Sequence, residues 1–133
     1  MKSIYMTVLI GLLFSSCSKE EESNTNNGQL VSKWQLIEQL LDPGDGSGTF
    51  SPVTSQKTIE LFSNGTWTSN GNLCSLSIDI SQSSTGTYST VDSTITVAIC
   101  GWSRDITFEH DNNALILSYP CFEPCQEKYI PLP

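Results

Sequence analysis

Apolar and polar residues alternate with a period of two over most of the chain after residue 30. This is the period of a β-strand that buries one face. The alternation predicts strands at 57–62, 66–68, 76–81, 94–99, 104–109, 115–119 and 127–130. Between the first two lies Asn64-Gly65, a dipeptide that accepts the positive φ angles of a tight hairpin turn. Many short strands separated by turns predict an all-β sandwich or barrel.

Residues 30–41 fit two periods. Four apolar residues have helical spacing: Leu30, Trp34, Ile37 and Leu41. A strand would instead place Trp34, Leu36 and Leu40 on one face, which Glu38 interrupts. We favour the strand, because the rest of the domain is β and short strands pair with their sequence neighbours.

The chain begins with a segment of the kind that directs secretion. Lys2 supplies a positive start, and residues 4–14 form an apolar run of signal-peptide length, shorter than the about 20 residues of a membrane span. Two serines then precede Cys17, which resembles the bacterial lipobox Leu-(Ala/Ser)-(Gly/Ala/Ser)-Cys with Phe14 in place of Leu. The resemblance implies that residues 1–16 are removed and that diacylglycerol is attached to Cys17. The alternative is an ordinary secretion signal followed by an unrelated cysteine.

The next segment predicts a tether. Residues 18–29 contain no apolar side chain, so we expect 17–29 to be a lipidated, flexible and disordered linker. The run from Lys19 to Glu22 resembles the lipoprotein export signal of Bacteroidota, which implies the outer face of the outer membrane. The alternative is the periplasmic face, with the acidic run acting only as a solvated linker.

The net charge of the chain restricts the kinds of partner that it can bind. The chain carries −8, and removal of residues 1–16, whose only charged side chain is Lys2, leaves −9. A surface this acidic repels nucleic acid and anionic lipid head groups. We therefore expect no nucleic-acid partner, and a membrane link made by covalent lipid.

Five cysteines are present. If Cys17 is acylated, an even set remains in an exported domain, which predicts two disulfides. The four are Cys74, Cys100, Cys121 and Cys125. Three pairings stay open, one of which contains a tight local bridge across Phe122-Glu123-Pro124. We expect no metal at these cysteines, because His110, the only histidine, is not spaced like a zinc ligand.

Several stretches resemble lipocalin-like domains, especially those of small lipoproteins of Bacteroidota. Residues 31–36 are similar to the Gly-x-Trp first strand of that family, with Ser32 in place of Gly, and 59–66 are similar to its I-x-F-x-x-D-G-T hairpin. Three further stretches look like the same group: 42–50, 85–88 and 115–121. The resemblance implies that residues 30–133 form one small antiparallel up-and-down β-barrel of about eight strands.

Four aromatic residues are candidates for a ligand cavity or for the core: Trp34, Trp67, Tyr88 and Tyr119. In a barrel of about eight strands the interior is just wide enough for side chains to fill, so core filling is the default. Trp102, in a short turn after Cys100, is a candidate for an exposed contact surface. Loop 42–50 offers two aspartates as oxygen ligands for Ca²⁺, or is a glycine-rich connection with unusual backbone angles.

No catalytic set is apparent. There is no Gly-x-Ser-x-Gly, and His110 lies in a polar turn. Three strand carboxylates, Glu60, Asp79 and Asp105, are placed by alternation opposite the apolar face. We therefore expect a non-catalytic, lipid-anchored protein without a cofactor, which binds a small apolar ligand in its barrel or a surface partner. The alternative is an inhibitor or accessory subunit that acts on a partner enzyme or transporter through disulfide-locked loops.

Lipidation gives a direct prediction. Replacement of Cys17 by alanine removes the acylated thiol, so the protein is expected to leave the membrane fraction, as measured by fractionation and immunoblotting. Cys74→Ala is the matched control, because it removes a cysteine that is not expected to carry lipid. Unchanged membrane retention of Cys17→Ala would sink the lipoprotein hypothesis.

Overall fold

The computed structural model describes residues 30–101, 105–111 and 113–133. The predicted signal peptide, Cys17 and the tether lie outside the described residues, and so does Trp102. None of the described segments forms a helix long and apolar enough to cross a membrane.

The described residues form nine antiparallel strands: β1 (Lys33–Leu41), β2 (Ser51–Pro52), β3 (Thr58–Leu61), β4 (Thr66–Ser69), β5 (Ser84–Ser89), β6 (Thr94–Val97), β7 (Ile106–His110), β8 (Leu115–Ser118) and β9 (Cys125–Pro131). From β3 to β9 each strand pairs with the next, and β1 pairs with both β3 and β9. Eight strands thus close into a barrel, and β2 adds two residues along the far half of β1. The all-β antiparallel barrel predicted from the sequence is confirmed.

The barrel interior is lined by alternate residues of every long strand, as the period of two requires. Trp34 and Trp67 are its largest fully buried side chains. The remaining buried apolar residues come from all around the barrel: Leu30, Leu36, Ile59, Leu61, Leu73, Ile95, Ile106, Phe108, Leu115, Leu117, Tyr119, Cys125 and Tyr129. They form one core cluster, so closure of the sheet and burial of the apolar face are the same event.

The mixed periodicity of β1 has a physical cause. The register between β1 and β9 shifts between Leu36 and Glu38, where one extra residue makes a β-bulge. A bulge reverses which positions face the interior beyond it. Glu38 therefore points outward, where Oε2 lies 2.8 Å from Nζ of Lys128, and Gln39 points inward to Glu127. The strand was predicted correctly, but the faces after Leu36 are the reverse of simple alternation.

The two ends of the barrel differ. One, the turn end, is closed by the short connections 62–65, 90–93 and 111–114, and the chain enters β1 there from Leu30. The other, the loop end, carries the long connections 42–57, 70–83, 98–105 and 119–124. Up-and-down topology forces this division, because alternate connections of an antiparallel barrel must lie at the same end. The Asn64-Gly65 hairpin is confirmed between β3 and β4, with Gly65 at φ +80°.

The predicted strand 76–81 is wrong. These residues belong to connection 70–83, and their backbone groups bond to side chains, whereas a strand would bond to a neighbouring strand. Ser77 N–H donates to Glu127 (3.3 Å), and Ser77 C=O accepts from Nζ of Lys57 (2.8 Å). The alternation of apolar residues here reflects a segment lying across the loop end, with Leu76 packed against the core and Ile78 exposed.

Two disulfides are present, as predicted, and the structure settles their pairing. Cys74 bonds to Cys100, and Cys121 bonds to Cys125. The Cα atoms are 5.3 Å and 6.1 Å apart, within the usual range. All four cysteines lie at the loop end. The first bridge ties connection 70–83 to the segment after β6, and the second closes the β8–β9 connection.

The two bridges are expected to differ in their contribution to stability. Cys74 and Cys100 are 26 residues apart and Cys121 and Cys125 only 4, so chain entropy assigns about 3–4 kcal/mol to the first and about 2 kcal/mol to the second. The test replaces both cysteines of one bridge with alanine, in two separate variants. Urea unfolding under oxidising conditions then compares the free energy of unfolding of each variant with that of the parent. An equal or reversed loss of free energy of unfolding would contradict the expectation.

Candidate functional site

A buried ion pair occupies the interior at the loop end. Glu127 is the third residue of β9 and faces inward, and Lys57 immediately precedes β3; both side chains have 0% exposure. Nζ of Lys57 lies 2.9 Å from Oε1 and 3.1 Å from Oε2 of Glu127. Burial of an unpaired charge costs several kcal/mol, so each of these residues requires the other.

Four further donors complete the shell of the Glu127 carboxylate. The hydroxyl groups of Tyr119 and Tyr129 donate to Oε2 at 2.7 Å and 2.5 Å. Nε2 of Gln39 (3.0 Å) and N–H of Ser77 (3.3 Å) donate to Oε1. Gln39 reaches the carboxylate because of the bulge in β1, and Ser77 reaches it because connection 70–83 crosses the barrel at this point.

The environment sets the protonation of the network. Burial raises the pKa of both Tyr119 and Tyr129 well above its usual value, and the nearby Glu127 carboxylate raises each further. Both phenols therefore remain protonated donors near neutral pH. Burial lowers the pKa of the Lys57 ammonium, and the attraction of Glu127 offsets this in part.

The chemistry open to this carboxylate is limited. An ionised carboxylate offers about four lone-pair sites, and Glu127 accepts from five residues. No acceptor capacity is left for a substrate proton or a metal ion, and connection 70–83 lies over the pair. The geometry identifies the network as a structural element that joins β1, β3, β9 and connection 70–83.

This network is not among the sites predicted from the sequence, although the sequence contains a signal for it. Glu127 lies in phase with Cys125 and Tyr129, and Lys57 lies in phase with Ile59, so both charges occupy inward positions of alternating segments. A charge in phase with the apolar face predicts a buried, paired group. The carboxylates predicted to point away from the apolar face do so or lie in a connection. Asp79 and Asp105 are exposed, and Glu60 is half-buried.

The candidate aromatics bond within the chain. The indole N–H groups of Trp34 and Trp67 donate to the carbonyls of Leu30 and Thr87, each at 3.1 Å. The hydroxyl of Tyr88 donates to the carbonyl of Phe62 at 2.6 Å, at the turn end. Their polar atoms are thus engaged by the protein itself. Packing around Trp67 is close, since a Cβ added at Gly86 would lie 3.0 Å from its indole.

The carboxylates of loop 42–50 are directed at the loop. Asp42 accepts N–H groups from Gly44 (2.7 Å), Gly46 (3.1 Å) and Gly48 (2.7 Å). These bonds, those of Gly48 and Gly44 foremost, hold the pKa of Asp42 below its usual value. Asp45 accepts in the same way from N–H of Ser47 (2.9 Å). The two aspartates fold a glycine-rich connection, and the described residues contain no group of three His, Cys, Asp or Glu placed to hold a metal ion.

Exposed apolar side chains concentrate at the loop end. Five of the seven large apolar residues exposed in the described structure belong to β1's last position or to the long connections: Leu41, Ile78, Ile80, Ile99 and Phe122. We call these five the apolar rim. Phe122 is fully exposed, and Leu41 and Ile99 are 66% and 62% exposed. The other two are Val91, in a connection at the turn end, and Ile130, in β9.

Comparison with known proteins gives no match to a protein family, to a curated protein or to a solved structure. The fold is described by its own geometry, a closed eight-stranded antiparallel barrel with one extra short strand. Membership of the lipocalin-like family remains a prediction from the sequence motifs.

The ion pair gives a stability prediction. Glu127→Gln leaves the Lys57 ammonium buried without its counter-charge, which costs about 3–5 kcal/mol of unfolding free energy. Glu38→Gln is the control, because Glu38 forms a partly exposed pair with Lys128 and the loss there is at most about 1 kcal/mol. Urea unfolding measures both.

Two further variants keep the role of the ion pair measurable if Glu127→Gln does not fold. Combining Glu127→Gln with Lys57→Met removes both charges and is expected to recover part of the loss. Tyr129→Phe removes one donor and is expected to cost about 1–2 kcal/mol, which remains measurable if Glu127→Gln does not fold. Equal losses for Glu127→Gln and Glu38→Gln would show that the buried pair does not hold the barrel together.

Proposed function

We propose that this protein is a non-catalytic lipoprotein of the outer membrane with a barrel of lipocalin-like descent, and that it binds a protein partner through its loop end. Lipid on Cys17 anchors it, and the acidic run after Cys17 directs it to the cell surface. The observation that carries the binding role is the apolar rim, because large apolar side chains exposed at one end of a domain are typical of protein contact sites.

The direction of the chain supports this role. The tether joins the barrel through Leu30 at the turn end, so the loop end lies on the far side of the barrel from the point of attachment. Residues 17–29 span at most about 45 Å when extended. A domain attached in this way can turn its apolar rim away from the membrane, where a partner has access to it.

The connections of the loop end are also cross-linked. Cys74–Cys100 and the bond from Asp42 N–H to the carbonyl of Pro124 (2.9 Å) join neighbouring connections, whereas Cys121–Cys125 and the hydrogen bonds of the Asp42 carboxylate each brace a single connection. A surface ordered before binding loses less conformational entropy on association. An inhibitor or accessory subunit would use the same ordered loops, and the partner's identity would distinguish that role from simple binding.

A small apolar ligand inside the barrel has less support. A ligand entering at the loop end would meet the buried ion pair beneath connection 70–83. Entry would require that this connection move and that Lys57 and Glu127 be exposed to an apolar molecule, which is unfavourable.

Site-specific photocrosslinking in native membranes tests the proposed surface. A photoreactive phenylalanine analogue at Phe122 or Ile99 is expected to capture a discrete protein, because these side chains lie in the contact. The same analogue at Val91, which is 92% exposed at the turn end, is the control and is expected to capture none. Adducts of equal yield from Val91, or an absence of adducts from both rim positions, would refute binding through the loop end.

A further inference from the structure

The charged side chains on the connections of the loop end are mostly negative. Five carboxylates lie on its connections: Asp42, Asp45, Asp79, Asp105 and Glu123. The same connections contain two cations in the sequence, Lys57 and Arg104. Lys57 is buried and paired with Glu127, so these connections carry five carboxylates against Arg104 alone, a net −4 counted from the sequence.

This charge decides between the surfaces that an apolar rim could bind. A second copy of the chain would bring two acidic loop ends together, and like charges facing each other across an interface are unfavourable. An anionic lipid surface is repelled for the same reason. The chain's own N-terminal segment enters at the opposite end and carries Glu20 to Glu22, so it has the wrong charge as well.

We propose that the partner surface is a basic, amphipathic polypeptide segment, with apolar side chains that contact the rim and lysine or arginine side chains that face its carboxylates. This rests on the proposed function, since it names the chemistry of the partner at the same loop end. Phe122, on the disulfide-closed β8–β9 connection, is the most exposed side chain of the apolar rim and the main apolar contact of the proposal. Glu123 beside it and Asp79, between Ile78 and Ile80, place negative charge next to the apolar side chains.

The geometry makes the two contributions separable. Asp79 and Glu123 are exposed and are not acceptors in the hydrogen bonds that order loop 42–50. They can therefore be neutralised with little effect on the fold, whereas Asp42 and Asp45 cannot. Electrostatic attraction of this kind weakens with salt, because the Debye length falls from about 10 Å at 0.1 M to about 3 Å at 1 M.

Three synthetic peptides of equal length test the proposal: leucine with lysine in an amphipathic pattern, the same pattern with glutamate for lysine, and lysine with serine for leucine. Binding is measured by fluorescence anisotropy to the full chain, isolated from its membranes and placed in nanodiscs of zwitterionic lipid, with empty nanodiscs as the blank. The leucine–lysine peptide is expected to bind at least tenfold more tightly than either of the others, with an affinity that falls as salt rises.

Variants of the protein locate the binding. Phe122→Ser with Ile99→Ser is expected to weaken the leucine–lysine peptide at least tenfold, through loss of apolar contact. Asp79→Asn with Glu123→Gln is expected to weaken it several-fold and to flatten its salt dependence. The control is Val91→Ser with Glu109→Gln, which removes one exposed apolar and one exposed acidic side chain away from the loop end and is expected to change the affinity less than twofold.

The outcomes are distinct. Equal binding of the leucine–lysine and leucine–glutamate peptides, equal weakening by the control variant, binding to anionic vesicles, or dimerisation through Phe122 would each overturn the basic partner. If any of these occurs while photocrosslinking at Phe122 still captures a protein, only the partner's chemistry is wrong. If photocrosslinking fails as well, the loop end is not the binding surface.

Discussion

The barrel depends on one buried carboxylate. Glu127 has no solvent to stabilise its charge, so every one of its contacts must come from the protein: an ammonium from before β3, two phenols from β9 and the segment after β8, an amide from β1 and a backbone N–H from connection 70–83. Segments far apart in sequence can satisfy it only when the barrel is closed. Breaking one partner leaves an uncompensated buried charge, which is why the pair constrains the fold so strongly.

The buried network around Glu127 also restricts where a ligand or a partner can bind. The loop end of the barrel holds a buried polar network, and connection 70–83 is bonded across it. Connection 70–83 also exposes Ile78 and Ile80 to solvent, and the Cys74–Cys100 disulfide links it to the segment that follows β6. Connection 70–83 therefore covers the loop end and at the same time contributes to the apolar rim. For this reason we propose that binding occurs at the rim and not in the barrel interior.

The sequence predicted most strands because their alternation is local. It failed at two places where local pattern and tertiary environment disagree. Residues 76–81 alternate without forming a strand, since their backbone bonds go to Lys57, Glu127 and Ser55. The bulge after Leu36 reverses the faces of β1, which brings Gln39 to the carboxylate and turns Glu38 to Lys128. For the site, the inward phase of Lys57 and Glu127 was readable, but their pairing across 70 residues was not.

By itself the sequence determined the all-β class, the hairpin at Asn64-Gly65 and an even set of cysteines for two disulfides, because each follows from residue types at short spacing. Its lipidation and export signals, from Cys17 to Glu22, are of the same local kind and stand as predictions. Only the tertiary structure decided which cysteines pair, which end of the barrel carries the long connections, and that most of the exposed large apolar residues lie at that end. Those facts depend on strand order and closure, which bring together residues that no local pattern connects.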